Sequence, residues 1–209
     1  MIRRISMAAL ALLLAVPFAV GAQEMQMRVD RSTNASDPDD VPDVTIERMG
    51  DDFRVRTGPA AVIWQPGSTA TGEYTLSATF TLEEPSGHAN YYGLFYGGNA
   101  LDTDRQNYMY FLIAQNGTYI VKHRANNETV HDVQGRTQHE AIAVPGDDGT
   151  SVNRLEVRVG AEQTEFVVNG TVVFTAPKTG MAGRTDGTYG VRINHVIPSI
   201  VVEDLTVSR

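Results

Sequence analysis

The sequence predicts an all-β protein, an antiparallel sandwich or barrel, on three observations. First, Glu73 to Leu82 alternates cleanly. Tyr74, Leu76, Ala78, Phe80 and Leu82 fall on one side, and Thr75, Ser77, Thr79 and Thr81 on the other. Asn153 to Val159 alternates again through Leu155, Val157 and Val159. A period of two marks a strand with one buried and one wet face. Second, Asn-Gly stands between apolar runs twice, at Asn116-Gly117 and Asn169-Gly170. That pair suits a two-residue hairpin loop, because both central residues of a type I′ turn need positive φ. Third, helical periodicity never persists beyond about two turns.

In chain order, the N-terminus reads as a targeting segment over residues 1–22. Arg3 and Arg4 form a basic start, Met7 to Val20 is an apolar run too short for a membrane span, and Val20-Gly21-Ala22 offers small residues for cleavage before Gln23. Residues 23–43 are polar and acidic, without an apolar period, and read as a flexible leader. Asp37, Asp39, Asp40 and Asp43 within it lack the spacing of a calcium loop. The sandwich domain is expected over residues 44–209. Its strand candidates are VTIERM, DFRVRTG, AAVIWQ, the Glu73–Leu82 run, NYYGLFYGG, the run from Asn107 to Ala125, NETVHDVQ, HEAIAV, the Asn153–Val159 run, EFVVNGTVVF, GTYGVRINH and SIVVEDLTVS.

The run from Asn107 to Ala125 reads as the central hairpin. A two-residue loop at Asn116-Gly117 would pair Gln115 with Thr118, Leu112 with Val121, Phe111 with Lys122 and Met109 with Arg124. One face would then carry Tyr108, Tyr110, Leu112, Tyr119, Val121 and His123, and the other Met109, Phe111, Ile113, Ile120, Lys122 and Arg124.

A length of 209 residues suits about one domain. The formal charge is −8, and loss of the two leader arginines would make it more negative, which argues against nucleic acid as a partner. With no Cys there is no disulfide, thiol nucleophile or thiolate metal site. No membrane association is expected once the leader is removed, and nothing in the sequence specifies the oligomeric state.

The series GEYTLSATF, YGLFYGG, YMYFLIAQNGTYIVKHR, NRLEVRVGAEQTEFVVNGTVVF, GTYGVRIN and VVEDLTV resembles a concanavalin A-like lectin/glucanase jelly roll. Within it, Asn153-Leu155-Val157, Phe166-Val168-Asn169-Gly170, Gly187-Gly190 and Val202-Asp204-Val207 are similar to secreted bacterial domains grouped with the 3-keto-disaccharide hydrolases. The resemblance covers roughly Asp52 to Ser208. It implies a two-sheet jelly roll and carbohydrate as the partner. It carries over no catalytic residue.

Candidate chemistry is sparse. Glucanases of this fold place their carboxylates on one strand as E-x-D-x-x-E, and that spacing is absent. Glu73, Glu156, Glu165, Glu203 and Asp204 alternate with core residues or sit near strand ends, as solvated side chains do. His88, His123, His131, His139 and His195 form no close metal-ligand pair, so no metal site is expected. No cofactor is implied, with calcium left open.

A binding face is better supported. Lys122 and Arg124 share a predicted face with Phe111, and unpaired cations do not belong in a core, so this face should point outward. In GVRINH, Arg192 and Asn194 point opposite to Val191 and Ile193. If the strands share a sheet, Phe111, Lys122, Arg124, Arg192 and Asn194 line one surface, flanked by Tyr96 or by Tyr91, Tyr92 or Phe95. Aromatic platforms beside hydrogen-bonding groups suit sugars, and cations suit an acidic sugar. The plain alternative is a set of exposed strand residues paired with local Asp and Glu.

Three readings follow. The first is a secreted or periplasmic lectin-like domain holding a glycan on a concave sheet. The second is a hydrolase or lyase of 3-keto-disaccharides. The third is a non-catalytic structural or protein-binding domain.

Overall fold

The computed structural model describes residues 24–30 and 43–209. The expected signal segment and residues 31–42 of the expected leader lie outside these. The described chain contains β1 (Gln26–Asp30), β2 (Thr45–Met49), β3 (Asp52–Thr57), β4 (Ala60–Trp64), β5 (Thr69–Ala70), β6 (Tyr74–Glu84), β7 (Tyr91–Asn99) and β8 (Asn107–Ala114). It continues with β9 (Thr118–Arg124), β10 (Val130–Gln138), β11 (Ser151–Val159), β12 (Gln163–Val168), β13 (Thr171–Pro177), β14 (Gly187–Ile193) and β15 (Ile197–Ser208). A single 3-10 turn at Gly180–Gly183 precedes β14. The fold is the expected all-β, two-sheet antiparallel sandwich.

The first sheet has the order β1-β4-β14-β7-β8-β9-β10, with β5 beside β14, and the second the order β13-β12-β11-β6-β15-β3-β2. Between them lies the main core. Leu76, Ala78, Phe80 and Leu82 of β6, with Leu155 and Val157 of β11, meet Tyr92, Leu94, Met109, Phe111, Ile113 and Val121 of the first sheet. Each such fully buried large side chain contributes roughly 1.5–3 kcal/mol against leaving it in water. The alternation expected for β6 and β11 is what puts one face of each strand into this layer.

Three expectations are corrected. The first concerns the acidic leader, whose Gln26–Asp30 stretch is strand β1, paired antiparallel with β4. Its period of two, with Met27 and Val29 alternating with Arg28 and Asp30, is short enough to be masked by the polar residues around it.

The second concerns HEAIAV, which forms no strand. This segment is instead fastened by the fully buried Asn153, which accepts from Ala143 N (2.8 Å) and donates to Ala143 O (2.9 Å). One carboxamide thus satisfies both backbone groups of Ala143, as a neighbouring strand would.

The third concerns the register of the central hairpin. Tyr108 pairs with Arg124, Met109 with His123, Tyr110 with Lys122, Phe111 with Val121 and Leu112 with Ile120. The loop is three residues, Gln115-Asn116-Gly117. Gly117 N donates to Ala114 O (3.0 Å), and only Gly117 of the three has positive φ, at 79°. This is a type I turn followed by a left-handed glycine, the three-residue alternative to the type I′ turn. A slip of one residue moves a strand's whole side-chain set to the other face. Phe111 and Met109 therefore enter the core with Val121, while Tyr108, Tyr110 and Leu112 share the outer face with Ile120, Lys122 and Arg124.

Candidate functional site on the outer face of the first sheet

The outer face of the first sheet carries a second buried cluster: Val62, Trp64, Tyr91, Phe95, Leu101, Tyr108, Tyr110, Leu112, Ala114 and Ile120. Cations converge beside it. Arg192 pairs across β14 with Val62 on one side and with Gly93 on the other. Gly93 has φ 156°, and a Cβ there would lie 2.5 Å from Phe111 O, so only glycine fits. No side chain stands at that position next to Arg192. The guanidinium lies 5.6 Å from the Tyr108 ring centroid and 5.0 Å from that of Tyr110, and its Nη1 donates to Tyr108 Oη. Each cation–π contact of this kind is worth about 0.5–2 kcal/mol, more as the pair is drier.

One carboxylate anchors the cluster. Asp30 lies 2.8 Å from Arg28 Nε, 3.3 Å from Arg124 Nη2 and 3.6 Å from Arg192 Nη1. Burial pushes its pKa up. The Arg28 hydrogen bond and the charges of Arg192, Arg124 and Arg28 outweigh that and hold it below the usual value. Three guanidiniums thus share one anion. Asp104, largely exposed, approaches Arg28 at 3.8 Å. Asn127 ties the group to the β8 approach, accepting from Arg28 Nη2 (2.7 Å) and Gln106 Nε2 (2.8 Å). Lys122 stands two residues from Arg124, on the same face, and bonds Asp132 of β10 at 2.9 Å.

The residues expected to line a binding face divide. Lys122, Arg124 and Arg192 do share the outer face. Tyr96 and Phe111 do not: both have no exposed surface and pack in the main core, which corrects their assignment. The cause for Phe111 is the hairpin register. Asn194 lies beyond the end of β14, half-buried, its N donating to Tyr91 O (2.7 Å). Of the flanking aromatics, Tyr91 and Phe95 belong to the outer cluster and Tyr92 to the core. The plain alternative also has a share of the truth, since Lys122 has a local Asp partner.

Sequence reasoning missed Tyr108 and Tyr110, the two rings that hold Arg192, for the same reason of register. It missed Arg28 and Asp30 because their strand was read as leader, and it left Trp64 unplaced. The one signal for the arginines' partner was the alternation Met27-Arg28-Val29-Asp30.

Comparison with known proteins agrees on fold alone. No family model matches the sequence, and no curated protein does. Among solved structures, the carbohydrate-binding module CBM66 from Bacillus subtilis superposes with a TM-score of 0.61 at 11% identity, over 80% of this chain and 92% of that one. Botulinum neurotoxin type C gives 0.50 at 11% identity over 90% of this chain, which spans 43% of the toxin chain. Sheep galectin-11, in a complex with glycerol, gives 0.48 at 11% identity over 77% of this chain and all of that one. The protein therefore has a β-sandwich fold of the kind found in carbohydrate-binding modules.

Proposed function

We propose that the chain is an exported, lectin-like domain that binds acid-bearing glycans on the outer face of its first sheet. The observation that carries this is the charge imbalance at Asp30. Among the described residues, three guanidiniums crowd one well-placed carboxylate, beside tyrosine rings and Lys122. Such positive charge attracts a sugar carboxylate or sulfate, while the buried tyrosine rings hold Arg192 in place beside it. The sandwich fold shared with a carbohydrate-binding module supports the same reading. Export to the periplasm or medium is proposed on the N-terminal segment alone.

Binding is proposed to need no cofactor. A glycan array run with calcium and with chelator, on the wild type and on Lys122→Ala and Tyr110→Ala, tests the reading. Acidic glycans should be retained under both conditions, weakened by added salt and reduced in both variants. Retention of neutral glycans only, or of none, would overturn it.

A further inference from the structure

On the other side of the first sheet, at one end of the sandwich, a cleft of about 510 Å³ opens between the end of β7, the start of β8 and the segment leading into β14. Asn99, Asn107, Lys178, Arg184, Thr185 and Asp186 line it. Two of these are already committed. Lys178 Nζ reaches Gly72 O and Gly160 O, both at 3.4 Å, and Asp186 Oδ1 accepts from Gly72 N at 3.0 Å.

The others are not. The Arg184 guanidinium and the side-chain amides of Asn99 and Asn107 donate no hydrogen bond among the described residues. Thr185 is 1% exposed, yet its hydroxyl has no partner. A buried polar atom without a partner costs about 1–3 kcal/mol and needs an explanation.

The wall behind Asn107 is built as well. His123, on β9, is 3% exposed. Its Nε2 donates to Asn107 Oδ1 at 3.1 Å, because an amide oxygen can only accept. That bond fixes the Asn107 amide and leaves its NH2 as the free donor. The His123 Nδ1 has no partner, and the ring stacks on His131 at 5.8 Å. Burial, then the nearby Arg184 charge and His131, keep the ring below its ordinary pKa. The backbone is equally fixed: Gly97, with φ 63°, would place a Cβ 2.2 Å from Arg184 O.

From this arrangement we infer a second binding site, separate from the outer face, for a monosaccharide-sized acid whose carboxylate stands next to hydroxyl groups. Arg184 and the Asn107 amide hold the carboxylate. Asn99 and the second oxygen of Asp186 serve the hydroxyls. A fork of guanidinium and amide donors matches a planar carboxylate better than a lone ammonium does.

The test is an NMR titration of the intact protein with D-glucuronate, with glucose and acetate as controls. Glucuronate should move the His123 ring signals saturably, and Arg184→Gln should weaken binding by about tenfold or more. The Arg184 side chain is exposed and makes no hydrogen bond among the described residues, so this variant should fold normally. Lys122→Ala should leave the titration unchanged, which separates this site from the outer face. Loss of glycan binding on the array together with an intact glucuronate titration would defeat only the outer-face reading. The site is overturned if glucuronate leaves His123 unmoved, if Arg184→Gln binds as well as the wild type, or if acetate or glucose binds equally.

Discussion

At Asn169-Gly170 the chain reverses in two residues, while at Asn116-Gly117 it takes three. In the first case Val168 pairs with Thr171, and both turn residues have positive φ, 50° and 82°. In the second, Ala114 carbonyl and Gly117 N–H close a type I turn and only glycine is left-handed. The dipeptide is the same, so its surroundings decide. Asn169 is held from outside its own turn: its Oδ1 accepts from Arg154 N (2.8 Å), and its Nδ2 donates to Asn153 Oδ1 and Ala141 O (both 2.9 Å). Those bonds stabilise the strained left-handed asparagine. The Asn116 side chain bonds only locally, its Oδ1 accepting from the Thr118 hydroxyl at 2.7 Å. Gln115 is fixed to Ser86 instead, through its Nε2 to Ser86 O at 2.8 Å. The flanking strands differ too. β8 is apolar on both faces, so burial alone does not choose its register.

The largest way to break this comparison is at Asp30, which offsets the cations that the three-residue loop brings to the outer face. Asp30→Ala should cost about 3 kcal/mol in chemical denaturation, because it strands partly buried guanidiniums. The acid limb gives a second check. A carboxylate whose folded pKa is depressed contributes stability above its unfolded pKa and loses it as pH falls through the folded value. Thermal melts of Asp30→Asn should therefore show a flatter decline than the wild type below about pH 4.

Next in size is Asn169→Ala, expected to cost about 2 kcal/mol. It removes the bonds to the buried Asn153, to Arg154 N and to Ala141 O, and puts a Cβ-only side chain at positive φ. Gly117→Ala should cost about 1 kcal/mol for its left-handed φ, with the flexible Gln138 amide, 2.6 Å from the new Cβ, moving aside. The smallest effect should be Asn116→Ala, below about 1 kcal/mol. Urea titrations of the three variants order them. An Asn116 effect equal to that of Asn169 would erase the distinction between the hairpins.

The same contrast explains what was legible. The strands with one wet face, β6 and β11, announce both themselves and their inward residues. Arg192 is legible too, because Val191 and Ile193 flank it. The central hairpin announces its existence but not its facing, since Tyr110 and Phe111 are equally apolar neighbours and a single loop residue decides between them. Asp30 is illegible for another reason. Beyond its neighbour Arg28, its carboxylate takes its meaning from Arg124 and Arg192, far along the chain, which no local pattern encodes. Thr185 and His123 of the cleft are likewise joined only by the fold.

Asn153 carries one further consequence. It fastens the stretch between β10 and β11 at Ala143 through a side chain rather than a ladder of backbone bonds. Up to Ile142 the stretch is also held, by Asn169 at Ala141 O and by burial of Ile142, so it is the material beyond Ala143 that can be exchanged while the asparagine keeps its peptide unit. Val144 and the residues after it, up to the start of β11, are therefore where this scaffold should accept a grafted peptide or a reporter group, leaving both proposed binding regions untouched.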